Sequence, residues 1–457
     1  MTMTMMAKRN TALVLLGLHA LLALSAGAVD LCGPIITDTS VPAGEHTMSC
    51  QTFVKAGATL TIAPGATIKA STTASPDAAL VVEQGGMINA AGTRNAPITF
   101  TADAPPAQLP ARGLWGGVII NGYAPTSHAG GVGEVEGLVG IPYGGTDPSD
   151  NSGVLQYVRI WYGGAVIGQD NEINGLTLAG VGDGTTVDHI EVAFNLDDGI
   201  ELFGGTVNLK YIVVLFAGDD GIDTDHGYQG KIQFAFVMVG SGAGHHGAEM
   251  DSKTNDNIDS QPRSHPQLYN ALFIGSNEAP QSASSDDQLP SIMRLREGTG
   301  GQFGNIIMTN VGNGPGVLIN ECGMESLVQD MSLATRYPDF LYFSQNNIIN
   351  TPYVKEFISD EECMGVENGL NIDPELTNIP DDAAEEIVAF DPRPVAGGNA
   401  FKQVDAVPND SFFTPVNFKD AFDADDLWIS GWSWSPQTAV SRRTDAVTSV
   451  FAFFFSF

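Results

Sequence analysis

The chain repeats itself at the pitch of a coil. Val187-Asp188-His189-Ile190-Glu191-Val192-Ala193-Phe194 aligns with Leu209-Lys210-Tyr211-Ile212-Val213-Val214-Leu215-Phe216 at an offset of 22 residues. Asp197-Asp198-Gly199-Ile200-Glu201 aligns with Asp219-Asp220-Gly221-Ile222-Asp223 at the same offset. A third copy opens at Lys231-Ile232-Gln233-Phe234 and reaches His245-His246-Gly247-Ala248-Glu249, now 26 residues on, as two extra residues in one turn would produce. Runs of β-branched and aromatic residues cut by Gly and Asn turns at this period mean short strands stacked in register. One coil cannot bury its own apolar side, so successive coils must lie on one another. The same grammar occurs in Gly57 to Lys69, Gly85 to Thr101, Gln267 to Gly275 and Gln302 to Asn310. The expected fold is all-β, a parallel β-helix solenoid. A propeller blade is about twice as long as this offset, and no Leu/Asn ladder marks a leucine-rich array.

Composition agrees. Glycine is abundant, at 53 of 457 residues, and charged residues are few, at 16%, as tight turns between many strands require. The charge is lopsided: 20 Lys+Arg against 53 Asp+Glu give −33. No basic surface is available for phosphate, which excludes a direct nucleic-acid binder. At 43% apolar residues the chain buries a core, so the acidity belongs to a folded surface and not to a solvated tail.

Residues 1–28 have the layout of a secretory signal: Lys8 and Arg9, an apolar run from Ala12 to Leu24, then Ser25-Ala26-Gly27-Ala28. Cleavage near Ala28 and export are expected. No later apolar segment has the length of a membrane helix. Residues 29–349 are read as the β-helix. Residues 350–457 are read as an irregular acidic, Pro-rich segment packed along it, followed by a cap in which Trp428, Trp432 and Trp434 cover the open last coil. A sugar-stacking platform is the alternative role for these tryptophans. Phe451 to Phe457 suits an edge strand, a self-association contact or a tail. Cys32, Cys50, Cys322 and Cys363 suit an oxidising compartment, and their two local pairs suggest bridges 32–50 and 322–363 among three formal connectivities.

Several segments resemble a family of secreted right-handed β-helix proteins of marine bacteria, similar in fold to pectate lyases. They are Leu60 to Gly65, Gly92-Thr93 with Pro97 to Thr101, Gly113 to Gly122, Asp198 to Val207, and the Trp428 to Trp434 element. The resemblance implies the fold and an encounter with extracellular polysaccharide. It does not fix a reaction.

The coil register predicts an acidic ladder. Asp198, Asp220 and His246 share one column, Glu201, Asp223 and Glu249 a second, and Asp225 with Asp251 extends the group. Carboxylates about 4.8 Å apart in neighbouring coils repel, so a proton, a cation or basic neighbours such as His226, His245 and Lys253 must relieve them. Calcium suits convergent carboxylates in irregular turns, with Glu201, Asp223, Asp225, Glu249 and Asp251 as candidate ligands. The plainer reading is that these are turn residues, recurring for their backbone geometry. A weaker resemblance runs to polygalacturonase-type hydrolases, which present Asp, Asp-Asp, Gly-His-Gly and Arg-x-Lys in the order found here as Asp198, Asp219-Asp220, Gly244-His245-His246-Gly247 and Arg294-Leu295-Arg296. It implies a general acid and base among the aspartates and a uronate clamp in the arginines. Two histidines replace one, Arg296 replaces Lys, and the last gap is long. Lyase chemistry would instead need a base, with Lys210 and Lys231 expected near the ladder. No zinc signature is legible, because His245-His246 lacks ligands at helical spacing. The expected function is polysaccharide binding or a structural role at a cell surface with a cation at the ladder; the rival is a hydrolase or lyase using the same residues.

Overall fold

The computed structural model describes residues 27–433 except 76, 136, 169–170, 241–242, 255–256, 277–290, 313, 322–340, 353–356, 360–368 and 381–389. Its main sheet is parallel throughout and coils into a solenoid with three strand faces. The long strands Gly153–Trp161, Thr186–Ala193, Asn208–Leu215, Lys231–Met238, Gln267–Ile274 and Gly301–Thr309 stack in continuous register. Each bends at a residue in the left-handed region and so serves two faces: Tyr157, His189, Tyr211, Phe234, Asn270 and Asn305, with φ between 47° and 61°. Bulky side chains rarely adopt this conformation, which costs roughly 1–3 kcal/mol each. Stacking offsets it. The Tyr157 and His189 rings lie 4.2 Å apart, His189 and Tyr211 4.4 Å, and Tyr211 and Phe234 5.0 Å, contacts worth about 0.5–1.5 kcal/mol each beyond burial.

The third face carries the shorter strands Leu80–Val82, Val118–Asn121, Leu176–Ala179, Ile200–Phe203, Ile222–Asp225, Ala248–Met250, Met293–Leu295 and Val317–Ile319, again parallel and in register. Alternation along each strand sends one set inward: Leu176, Ile200, Ile222, Ala248, Met293 and Val317 form one fully buried column. Cys32 and Cys50 are bonded, tying strand Asp30–Ile35 to strand Gly44–Val54. The expected bridge between Cys322 and Cys363 lies outside the described residues, as do Trp434 and Phe451 to Phe457.

The C-terminal segment corrects one expectation. Trp428 and Trp432 do not cover the last coil; they lie on the flank of middle coils. Trp432 meets Tyr157 edge-on at 5.4 Å and His189 at 5.7 Å, and Trp428 meets Tyr211 at 5.3 Å. The physical reason is the aromatic corner column, which offers these indoles an apolar surface. Both are buried, so neither is a platform for sugar. Polar side chains of the corners hold the segment by its backbone: Lys210 Nζ donates to Phe412 O at 2.7 Å, Gln233 Nε2 to Thr414 O at 2.9 Å, Asn270 Nδ2 to Phe418 O at 2.8 Å and Asn305 Nδ2 to Asp405 O at 2.9 Å. Lys231 pairs with Asp410 at 2.8 Å. The two lysines therefore lie on a different face from the ladder, where they anchor this strap.

Candidate acidic site on the third face

The outward positions of the third face form a column whose chemistry changes coil by coil. Register runs Phe53, Val81, Ile119, Thr177, Glu201, Asp223, Glu249, Arg294, Leu318. Its apolar end is covered by the loop carrying strands Gly133–Glu134 and Pro142–Tyr143: Val135, Leu138 and Tyr143 pack on Val81, Ile119 and Phe203. Below that cover come the carboxylates, then a guanidinium.

Outward residues of a solenoid usually meet water, yet Asp198, Asp220, Asp223, Glu249 and Asp251 are all buried. Burial in low dielectric raises a carboxyl pKa, and like charges raise it further. Burial first, then Asp219, lifts Asp220 to about 7. Burial, then Asp220, lifts Glu249 to about 7. Asp198, Asp223 and Asp251 stand well above the ordinary range for the same first reason, with Asp197, Asp251 and Glu249 as their respective leading like charges.

Hydrogen bonds sort the residues by role. Asp198 Oδ1 accepts the backbone N–H of Asp220 at 2.9 Å, and Asp220 Oδ1 accepts that of His246 at 2.6 Å. Each turn carboxylate therefore fastens the next coil, a structural duty of the kind the turn reading assigns. Asn174 Nδ2 donates to Glu201 Oε2. Arg294 Nη1 lies 3.1 Å from Glu249 Oε1, Arg296 Nη2 lies 3.0 Å from Glu249 Oε2, and Arg296 Nη2 lies 2.7 Å from Asp251 Oδ2. The arginines thus neutralise the lower end of the column instead of standing free as a uronate clamp. Lys253 bonds Glu297 and Glu321, away from the column.

Asp223 differs from its neighbours. It is 9% exposed, and its Oδ1 has no hydrogen-bond donor among the described residues. Oxygen atoms of Asp198, Glu201 and Asp223 lie within 4.8 Å of one another, as do those of Asp220, Asp223 and Glu249. Asp223 belongs to both groups, and such all-oxygen sets suit a hard cation. Asp225 and Asp251, expected as ligands, are in neither. Asp251 is taken by Arg296, and Asp225 Oδ2 lies 3.1 Å from His226 Nε2.

That last contact opens a network the sequence did not reveal. Tyr143 Oη lies 2.8 Å from His128 Nε2 and 3.3 Å from His226 Nδ1. Burial, then His128, pushes His226 down to about 3, so its imidazole is neutral. With a single proton to give, Tyr143 Oη can donate to only one of these two imidazoles and must accept from the other to bond both. His128 and Tyr143 stand in a Gly-rich stretch that repeats nowhere, so no periodic signal marked them. The register, by contrast, brings Asp219 and Asp220 beside His245 and His246, with His245 Nδ1 at 3.4 Å from Asp219 Oδ1 and His246 Nδ1 at 3.0 Å from Asp220 Oδ1. The paired histidines therefore do have partners, supplied by the preceding coil and not by helical spacing.

A three-faced parallel solenoid with a sheltered, chemically graded column on one face is a protein of the pectate-lyase-like β-helix class. The profile of the pectate-lyase like beta helix domain matches residues 33–372, and the chain belongs to that family. No curated protein and no solved structure matches it. Family membership fits a carbohydrate-related role. Among the described residues no helix is long and apolar enough to cross a membrane.

Proposed function

We propose that the chain is an exported protein that binds an extracellular polysaccharide along its third face, with calcium held at Asp223 together with Asp198 and Glu201 and bordered by Asp220 and Glu249. The carrying observation is Asp223 itself: a buried carboxylate with one oxygen that no described residue donates to, facing carboxylates of its own coil and of both neighbouring coils. A hard divalent ion satisfies that oxygen and cancels the repulsion, and it leaves a charged surface on which sugar hydroxyls and carboxylates coordinate. The test is isothermal titration of calcium into chelator-treated protein, followed by a panel of neutral and acidic glycans with and without calcium. Calcium-dependent glycan retention is expected. Glycan binding indifferent to chelation would remove the cation from the reading, and retention of no glycan would remove the polysaccharide.

An enzymatic reading has one specific observation in its favour: Asp220 and Glu249 are held at about 7, the poise of a general acid or base at neutral pH. Cleavage products from the same glycan panel, lost in Glu249→Gln, would establish it.

A further inference from the structure

We propose that Asp219, Asp220, His245 and His246 bind a borderline divalent metal, zinc by preference, at a centre that shares Asp220 with the all-oxygen group around Asp223 but adds two nitrogen ligands. Two consecutive acids in one coil lie against two consecutive histidines in the next: the backbone N–H of His245 donates to Asp219 O at 2.8 Å, and that of Gly221 to His246 O at 2.9 Å. The turn sends both imidazoles to the same side, with ring centroids 3.9 Å apart. Both Nδ1 atoms face Asp220 Oδ1, His246 at 3.0 Å and His245 at 4.0 Å, while Asp219 Oδ1 lies 3.4 Å from His245 Nδ1. Donors of Asp220, His245 and His246 all lie within 4.8 Å of one another.

With zinc–nitrogen and zinc–oxygen bonds near 2.0–2.2 Å, the edges of a tetrahedral site are roughly 3.4 Å, a length these separations bracket. A single His–Asp hydrogen bond would account for one imidazole. The second is turned toward the same carboxylate and backed by a second acid, which gathers two imidazoles and two carboxylates at one place, a donor set that suits such a metal. Nitrogen donors also select against calcium, which prefers oxygen, and for zinc or cobalt. Access is one-sided: the side chains of Asp220 and His246 are almost wholly buried, whereas that of Asp219 is 50% exposed, so ion and exchangeable ligand enter from Asp219.

The test titrates Co²⁺ into metal-free full-length protein and follows the visible d–d bands of four-coordinate cobalt. Expected are intense bands, their bleaching by zinc, and no displacement by calcium. His245→Gln should weaken cobalt binding at least about tenfold, since loss of supporting partners alone costs 10–100-fold. Asp219→Asn, at a half-exposed position that leaves the fold undisturbed, should weaken it in the same sense. Glu201→Gln should leave it unchanged while weakening calcium, which separates this centre from the all-oxygen one. Absence of visible bands, bands undiminished in Asp219→Asn, or displacement by equimolar calcium would overturn the proposal.

Discussion

At Asp223 a single buried oxygen has no donor among the described residues, and replacing the side chain should act in opposite directions with and without calcium. Asp223→Asn keeps the shape and removes the cost of holding a carboxyl far from its solution behaviour, so the calcium-free protein should be more stable than the wild type at pH 7. The same change deletes a ligand, so the rise in Tm that calcium gives the wild type should vanish. Thermal unfolding of both proteins in calcium and in chelator decides it; an equal calcium response in the two would count against Asp223 as a ligand. The neighbouring acids set a pH dependence. Asp220 and Asp225 rise from 3.8 to about 7 and Glu249 from 4.5 to about 7 in the fold. Between about pH 4 and 7 the folded state therefore binds more protons than the unfolded one, and stability falls as pH rises. Without calcium, urea midpoints should be higher at pH 5 than at pH 7.5. Calcium, which competes with those protons, should narrow the gap. A midpoint that rises over this range in chelator would contradict the buried-carboxylate picture.

The strand faces and the strap were legible to different degrees, for a physical reason. A coil contacts the next coil some two dozen residues later, so the matching of Asp198 with Asp220 and of Glu201 with Asp223 is written as a repeat. Glu249 to Arg294 spans 45 residues, and that long insertion hides the register that pairs them. The arginines consequently looked like a free anion clamp. The strap is harder still: Arg94 Nε donates to Ser430 O across 336 residues, and Arg159 Nη1 to Trp432 O across 273. Such contacts leave no periodic trace, and the tryptophans could be recognised as a packing element but not placed. Their energetic weight is testable. Trp432 is fully buried, its Nε1 donates to Trp428 O at 2.8 Å, and its ring closes on Tyr157 and His189. Trp432→Ala should cost about 3–5 kcal/mol and make residues 398–433 the first segment cut in limited proteolysis. Cleavage elsewhere first, at unchanged stability, would show that the strap does not depend on this anchor.

Across the whole molecule, −33 formal charges act in two ways that salt and calcium separate. Exposed acids repel diffusely through water, and at an ionic strength of 0.15 M that repulsion is screened over about 8 Å. The sheltered column is different: its charges are out of reach of mobile ions and respond only to a proton, a guanidinium or an ion that enters. Raising sodium chloride from about 0.1 to 0.5 M should therefore raise Tm modestly and equally in the wild type and in Asp223→Asn, because the diffuse term is common to both. Calcium added at constant ionic strength should add a further increment to the wild type alone, growing with the logarithm of its concentration above Kd as a ligand of the folded state must. Solenoid coupling spreads that increment, since coils on either side of the column unfold against the stabilised ones. Hydrogen exchange should show protection rising in strands Ile200–Phe203, Ile222–Asp225 and Ala248–Met250 and fading toward Asp30–Ile35. Protection that rose evenly along the solenoid, or a calcium increment matched by sodium at equal ionic strength, would mean that the ion acts on the general surface and not in the column.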